Sequence, residues 1–136
     1  HTMDISTFDD LLEAARAQPQ PQRLLLVFVA IELPDDASPA QRSGFARGEG
    51  GALVPRMCVD KAPDELGSFA QLQQEALQTG AEWGMVFAAA LGGSAGRPPS
   101  SADAAPVLDT MVESIRQGRI AAYIPFDTQG RAVRLG

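Results

Sequence analysis

Histidine, cysteine and lysine each occur once in this chain, as His1, Cys58 and Lys61. His1 opens a His-Thr-Met stretch that reads as a cloning remnant at residues 1–3, with a natural start at Met3 and a domain running over residues 4–136. Without His1 the chain has no histidine, the usual general base near neutral pH and the commonest metal ligand. Ser-His-Asp and Cys-His catalysis are then excluded, and one thiol is too few for an ordinary zinc site. No catalytic residue, metal site or cofactor is therefore expected. A lone cysteine also forbids an internal disulfide framework.

Long apolar runs are missing too. The longest, Leu24 to Ile31, is far short of the roughly 20 residues that cross a bilayer, and nothing ahead of it reads as a secretory signal. The cytoplasm is the expected compartment. Basic charge is scarce: 11 Lys and Arg stand against 17 Asp and Glu, for a net charge of -6. Such a surface repels phosphate backbones and anionic lipid, so neither nucleic acid nor a membrane is an expected partner. Aromatic residues make up 6%. Trp83 and Tyr123 read as core or edge packing, with no ladder on which bases would stack.

What is present suits one globular domain. The 136 residues are 45% apolar and 21% charged, with 13 Gly and 10 Pro for loops. Phe8, Leu11, Leu12 and Ala15 recur at helical spacing behind Ser6-Thr7-Phe8-Asp9, a capping-box-like start, and Pro19 and Pro21 end that helix. Leu24 to Ile31 is apolar without alternation, the pattern of a strand covered on both faces. The polar stretch 34–51 reads as a long loop, either mobile or functional. Leu53 to Val59 reads as a strand kept near an edge by Pro55. Pro63 opens a second helix with Leu66, Phe69, Ala70, Ala76 and Leu77 on its apolar face and Gly80 as C-terminal cap. Met85 to Leu91 reads as another central strand. A third helix, N-capped by Asp103, buries Leu108, Met111, Val112 and Ile115. Ile120 to Phe126 and Ala132 to Leu135 flank Asp127-Thr128-Gln129-Gly130, a hairpin signature. The expected fold is a single small α/β domain of order α-β-β-α-β-α-β-β. Its mixed, mostly parallel sheet has about five strands with three helices, and ends in a C-terminal β-hairpin.

In such a sheet, ligands favour the carboxyl ends of the strands. Those ends carry Asp60 and Lys61, then Gly92, Gly93, Ser94 and Arg97, and finally Asp127. Glycines let backbone N–H groups approach an anion, and Arg97 has the fork for a phosphate or carboxylate. The segment is no P-loop, because Arg97 and Pro98 follow Gly96 where Lys and a hydroxyl are required, and it also reads as a plain surface turn. Gly48-Glu49-Gly50-Gly51 precedes a strand and reads as a hinge. Asp60-Lys61 reads either as an acid–base pair or as a solvated turn. Glu32 with Asp35 and Asp36 has hard-cation chemistry but no EF-hand spacing. Cys58 alternates with Met57 and Val59, which makes it a buried, inert thiol.

Six stretches taken together carry a resemblance. They are Ser6-Thr7-Phe8-Asp9-Asp10-Leu11-Leu12 with Arg16, Gln22-Arg23-Leu24-Leu25, Glu32-Leu33-Pro34-Asp35-Asp36, Gly50-Gly51-Ala52-Leu53-Val54-Pro55, Met57-Cys58-Val59-Asp60-Lys61 and Ile124-Pro125-Phe126-Asp127. Together they resemble a family of small uncharacterised bacterial proteins often labelled "ribonucleotide reductase subunit alpha". The residues contradict that label: such a large subunit resembles a barrel of several hundred residues with a radical-forming cysteine and a redox cysteine pair. This chain has only Cys58. The expected function is a non-enzymatic binding or protein-interaction domain, with an unknown protein partner or self-association through the final hairpin edge or the irregular Leu53–Val59 strand. The alternative is a small anionic metabolite or nucleotide in the crevice of Asp60, Lys61, Gly92, Gly93, Ser94 and Arg97.

Overall fold

The computed structural model describes residues 5–33, 36–46, 52–80 and 82–133. Helix α1 (Phe8–Arg16) begins where Thr7 Oγ1 accepts from the Asp10 N–H and Asp10 Oδ2 accepts from the Thr7 N–H, at 3.2 and 3.1 Å. The capping box is therefore one residue beyond Ser6 and Asp9. Asp9 is left free to act at longer range. Its Oδ1 accepts from the Phe69 N–H at 2.9 Å, tying α1 to the start of a later helix.

Strand β1 (Gln22–Glu32) is the centre of the molecule, with Leu24 to Val29 all buried. Strand β2 (Ala52–Lys61) pairs antiparallel on one side of it, and β3 (Met85–Gly92) pairs antiparallel on the other. Strand β4 (Ile124–Phe126) pairs antiparallel with β3. The order is β2-β1-β3-β4, a 4-stranded sheet in which every neighbouring pair is antiparallel. This overturns the mostly parallel five-strand sheet with three helices. β2 and β3 do run in the same direction, as two strands joined through a helix should, but β1 lies between them. The fifth strand reduces to isolated bridges, Phe126 to Ala132 and Thr7 to Arg131. The turn before it does form, with Asp127 Oδ1 accepting from the N–H groups of Gln129 and Arg131 at 2.8 and 3.0 Å. Its outgoing arm then bonds the start of α1, where Ala132 N–H donates to Ser6 O at 2.8 Å. Leu135 lies outside the described residues.

The fourth helix, α2 (Pro39–Ala46), lies within the stretch expected as loop 34–51. Ser38 Oγ accepts from the Gln41 N–H, and Gln41 Oε1 accepts from the Ser38 N–H, a reciprocal cap with proline at the first helical position. The second expected helix is broken. Pro63–Glu65 forms a 3-10 turn, Leu66 is extended, and α3 (Phe69–Thr79) restarts on a Ser68 cap. That restart resets the helical phase. Phe69, Leu72 and Ala76 point inward, whereas Leu77 is 70% exposed. Helix α4 (Ser101–Arg116) is capped by Ser100 with Asp103, so Asp103 is the third helical residue and not the cap.

Because side chains alternate along β1, its even and odd positions enter different cores. Leu24, Leu26 and Phe28 pack with α1 and α3, where the Phe8 ring lies 5.4 Å from those of both Phe69 and Phe126. Leu25, Val27 and Val29 pack under Ala104, Leu108, Met111 and Ile115 of α4. The sheet is a middle layer with helices on both faces, as the unbroken apolar run implies. Trp83 packs edge-on against Phe28, with centroids 4.9 Å apart, and Tyr123 packs against the α4-side core.

Candidate functional site

β2 and β3 run the same way, so their carboxyl ends share one end of the sheet with the start of β1. Leu24 sits opposite Lys61, and Gln22 opposite Gly92. Antiparallel pairing thus brings together the loops that the parallel reading grouped. It does not make one site of them.

Asp60 and Lys61 are neighbours in a strand and project to opposite faces. On the α4 face, Asp60 Oδ2 accepts from Arg23 Nε and from Ser101 Oγ, both at 2.6 Å, and Arg23 Nη2 donates to the same Ser101 oxygen at 2.8 Å. Partial burial pushes the Asp60 carboxyl up, but the hydrogen bonds from Ser101 and Arg23 and the guanidinium charge outweigh it and hold the pKa low. Asp60 is thus a fixed anion bracing β1, β2 and the start of α4, and not a proton carrier. Nothing in the spacing of the sequence singles out Arg23 or Ser101, which meet Asp60 only through tertiary structure. On the other face, Lys61 Nζ donates to Glu75 Oε1 of α3 at 2.8 Å.

The segment Gly92–Arg97 folds as a tight turn closed by a Ser94–Arg97 bridge, with Ala95 and Gly96 at φ of 52° and 75°. Three of its amides are engaged within the fold. Gly93 N–H donates to Pro21 O at 2.8 Å, Gly96 N–H to Gln20 Oε1 at 3.0 Å, and Arg97 N–H to Ser94 O at 2.9 Å. A phosphate nest needs those donors free. What remains is a cavity of ≈ 410 Å³ beside the turn, lined by Gly92, Gly93, Ser94, Arg97 and Asp103 among others. Asp60 and Lys61 do not line it.

Cys58 is exposed, contrary to the buried thiol its alternation implies. Its strand is at the sheet edge, so the covering neighbour is missing on one side. Partial desolvation and the nearby carboxylates of Asp109 and Asp60 push its pKa up, which keeps it protonated and a poor nucleophile. Glu32 pairs with Arg56, Asp35 lies outside the described residues, and Asp36 is exposed. Gly48 to Gly51 also lie outside the described residues. Among the described residues no cluster of His, Cys, Asp or Glu is placed to hold a metal ion, and no helix is long and apolar enough to cross a membrane.

The two sheet edges differ. Beyond β4, Val133 N–H donates to Pro125 O at 3.0 Å, so the following chain covers that side. Beyond β2 no described strand pairs. A bulge where Pro55 meets Val29 twists the first half of β2, leaving Met57–Lys61 as its regular part. Hydrogen bonding alternates along antiparallel strands, and the Gly93 to Pro21 bond sets its phase in β1. By that phase Met57, Val59 and Lys61 bond inward to β1, and the main-chain groups of Cys58 and Asp60 face outward. Alongside this edge, between β2 and α3, runs an open groove of ≈ 300 Å³. Phe28, Met57, Val59, Leu72 and Ala76 form its apolar walls, and Lys61 and Glu75 its main polar feature. The sequence carries one sign of this edge, Pro55 within a strand pattern, but none of the groove, which exists only once α3 lies across β2.

No family model matches the chain, and no curated protein or solved structure does so either.

Proposed function

We propose that the chain is a non-enzymatic protein-interaction domain that receives an extended segment of a partner protein along the outer edge of β2. The observation that carries this reading is the open edge at Cys58 and Asp60 beside the groove between β2 and α3. Strand addition supplies affinity through main-chain hydrogen bonds, and an adjoining groove supplies specificity through alternate side chains. The opposite edge is already covered, and the Gly93, Gly96 and Arg97 amides are spent inside the fold, which weighs against an anion site there. The family resemblance is compatible with this proposal and supplies no chemistry for it.

The test is selection of peptides from a random display library against the folded chain, followed by amide NMR mapping. The expected result is a set of β-forming peptides that shift amides of β2 and α3 and lose binding when alternate peptide nitrogens are methylated. Selected peptides that bind elsewhere, or that tolerate methylation, would overturn the proposal. A second reading keeps the ≈ 410 Å³ cavity for a small anionic metabolite, because the Arg97 guanidinium has no partner among the described residues. Titration with inorganic phosphate and adenosine monophosphate tests it. Saturable shifts confined to Gly92–Asp103 would favour the anion, and unmoved amides there would end that reading.

A further inference from the structure

Within the groove, one oxygen is at odds with its surroundings. Glu75 Oε1 accepts from Lys61 Nζ at 2.8 Å, but Glu75 Oε2 is buried with no hydrogen-bond partner among the described residues. The Glu75 side chain as a whole is 40% exposed, so its carboxylate borders solvent, and an occupant that brings a donor would give the unpaired oxygen its bond. Rotation about the last side-chain torsion of glutamate is soft, so Oε2 can turn toward the groove. Lys61 already balances the Glu75 charge, so a second cation there would face the Lys61 ammonium at close range. A neutral N–H or O–H group meets no such repulsion. Besides Gln78 and Thr79 the rest of the lining is apolar, from Phe28, Met57, Val59, Leu72 and Ala76, and ≈ 300 Å³ suits one large side chain better than a cofactor.

A strand laid beside β2 would point every second side chain to the face that carries Met57, Val59 and Lys61. Directly opposite residues stand with Cβ atoms about 4.5–5.5 Å apart, so one side chain per two residues enters the groove. We infer that the partner segment places a tryptophan or tyrosine there, its ring against Met57, Val59 and Leu72 and its N–H or O–H donating to Glu75. These two side chains combine an apolar body with a neutral donor at the tip, and they dominate the energetic centres of protein interfaces. The inference rests on the strand-addition reading and names the anchor that reading lacks.

The 136-residue chain, isotope-labelled, is titrated with acetyl-Thr-Val-Xaa-Val-Thr-amide, where Xaa is Trp, Phe or Lys, and with free indole. The Trp peptide is expected to shift β2 and α3 amides saturably, with the Phe peptide about fivefold to tenfold weaker for want of one hydrogen bond. The Lys peptide should be weaker still. Glu75→Leu should abolish the Trp-over-Phe preference, and Glu75→Gln, which keeps an acceptor, should retain most of it. Equal binding of Trp and Phe peptides at β2 and α3 would overturn the anchor and leave strand addition standing. Free indole binding as tightly as the Trp peptide would make the groove a small-molecule site. Failure of every peptide to move β2 would overturn both readings.

Discussion

Arg23 Nε donates to Asp60 Oδ2 at 2.6 Å, joining the start of the central strand to the end of its edge neighbour. Both side chains are mostly buried, at 14% and 22% exposed, and Ser101 bonds to each of them. Asp60→Ala would leave the guanidinium with one hydroxyl and a distant Glu65 carboxylate at 3.8 Å. The expected loss of stability is about 2 kcal/mol, read as a lower urea midpoint at unchanged m-value. A shift below about 0.5 kcal/mol would show that the pair is solvated.

The same carboxylate makes stability depend on pH. Its folded pKa lies below the ordinary value of 3.8, so its stabilisation is fully present above that value and is lost as pH falls through the lower, folded one. Asp127 adds to the same window: slight burial pushes it up, but the Arg131 and Gln129 N–H groups and the Arg131 charge hold it low. Urea midpoints measured from about pH 5 downward should fall less steeply for Asp60→Asn than for the parent chain. Parallel curves would remove Asp60 from the acid response.

Gly130 has φ of 77°, and a Cβ there would stand 2.7 Å from Phe69 Cδ2. Gly80 has φ of 74° with open space around it. Both glycines carry the backbone penalty, but only Gly130 adds a collision with a buried ring. Gly80→Ala should cost about 1 kcal/mol and Gly130→Ala about 2–3 kcal/mol. Equal costs in denaturant titration would mean that the Phe69 ring yields freely.

The phase of α3 distinguishes two leucines. Leu72 is 2% exposed and Leu77 is 70% exposed. Leu72→Ala should therefore lose about 2–5 kcal/mol. Leu77→Ala should stay within about 0.5 kcal/mol. The reverse ranking would restore the unbroken helix from Pro63.

Cys58 is reachable but held protonated by partial desolvation and by Asp109 and Asp60. Alkylation by iodoacetamide should be slow at neutral pH, should keep climbing with pH past the ordinary thiol value of 9.0 before levelling off, and should quicken in Asp109→Asn. Fast reaction at neutral pH would contradict that environment.

Local pattern was enough for much of the architecture. The run Leu24–Ile31 announced a strand covered on both faces, which holds from Leu24 to Val29, Gly80 announced the end of α3, Pro55 announced an irregular edge strand, and the hairpin signature at Asp127–Gly130 held as a turn. Each depends on the residue's own backbone preference or on burial of adjacent side chains, both of which are written locally. The Ser38-Pro39-Ala40-Gln41 cap of α2 was equally local, but it was hidden in a stretch whose polarity reads as loop. Partner choice across the sheet was not local. Whether β2 and β3 lie side by side or admit β1 between them depends on which edges desolvate together, and each strand's sequence suits either arrangement. The candidate site divides in the same way. Asp60 and Lys61 were visible as adjacent charges, and the two-residue period of a strand alone separates them onto opposite faces. Only tertiary structure gave Asp60 to Arg23 and Ser101 and Lys61 to Glu75, and only the placement of α3 across β2 made the groove, because contacts between residues far apart in the chain exist only after the layers have packed.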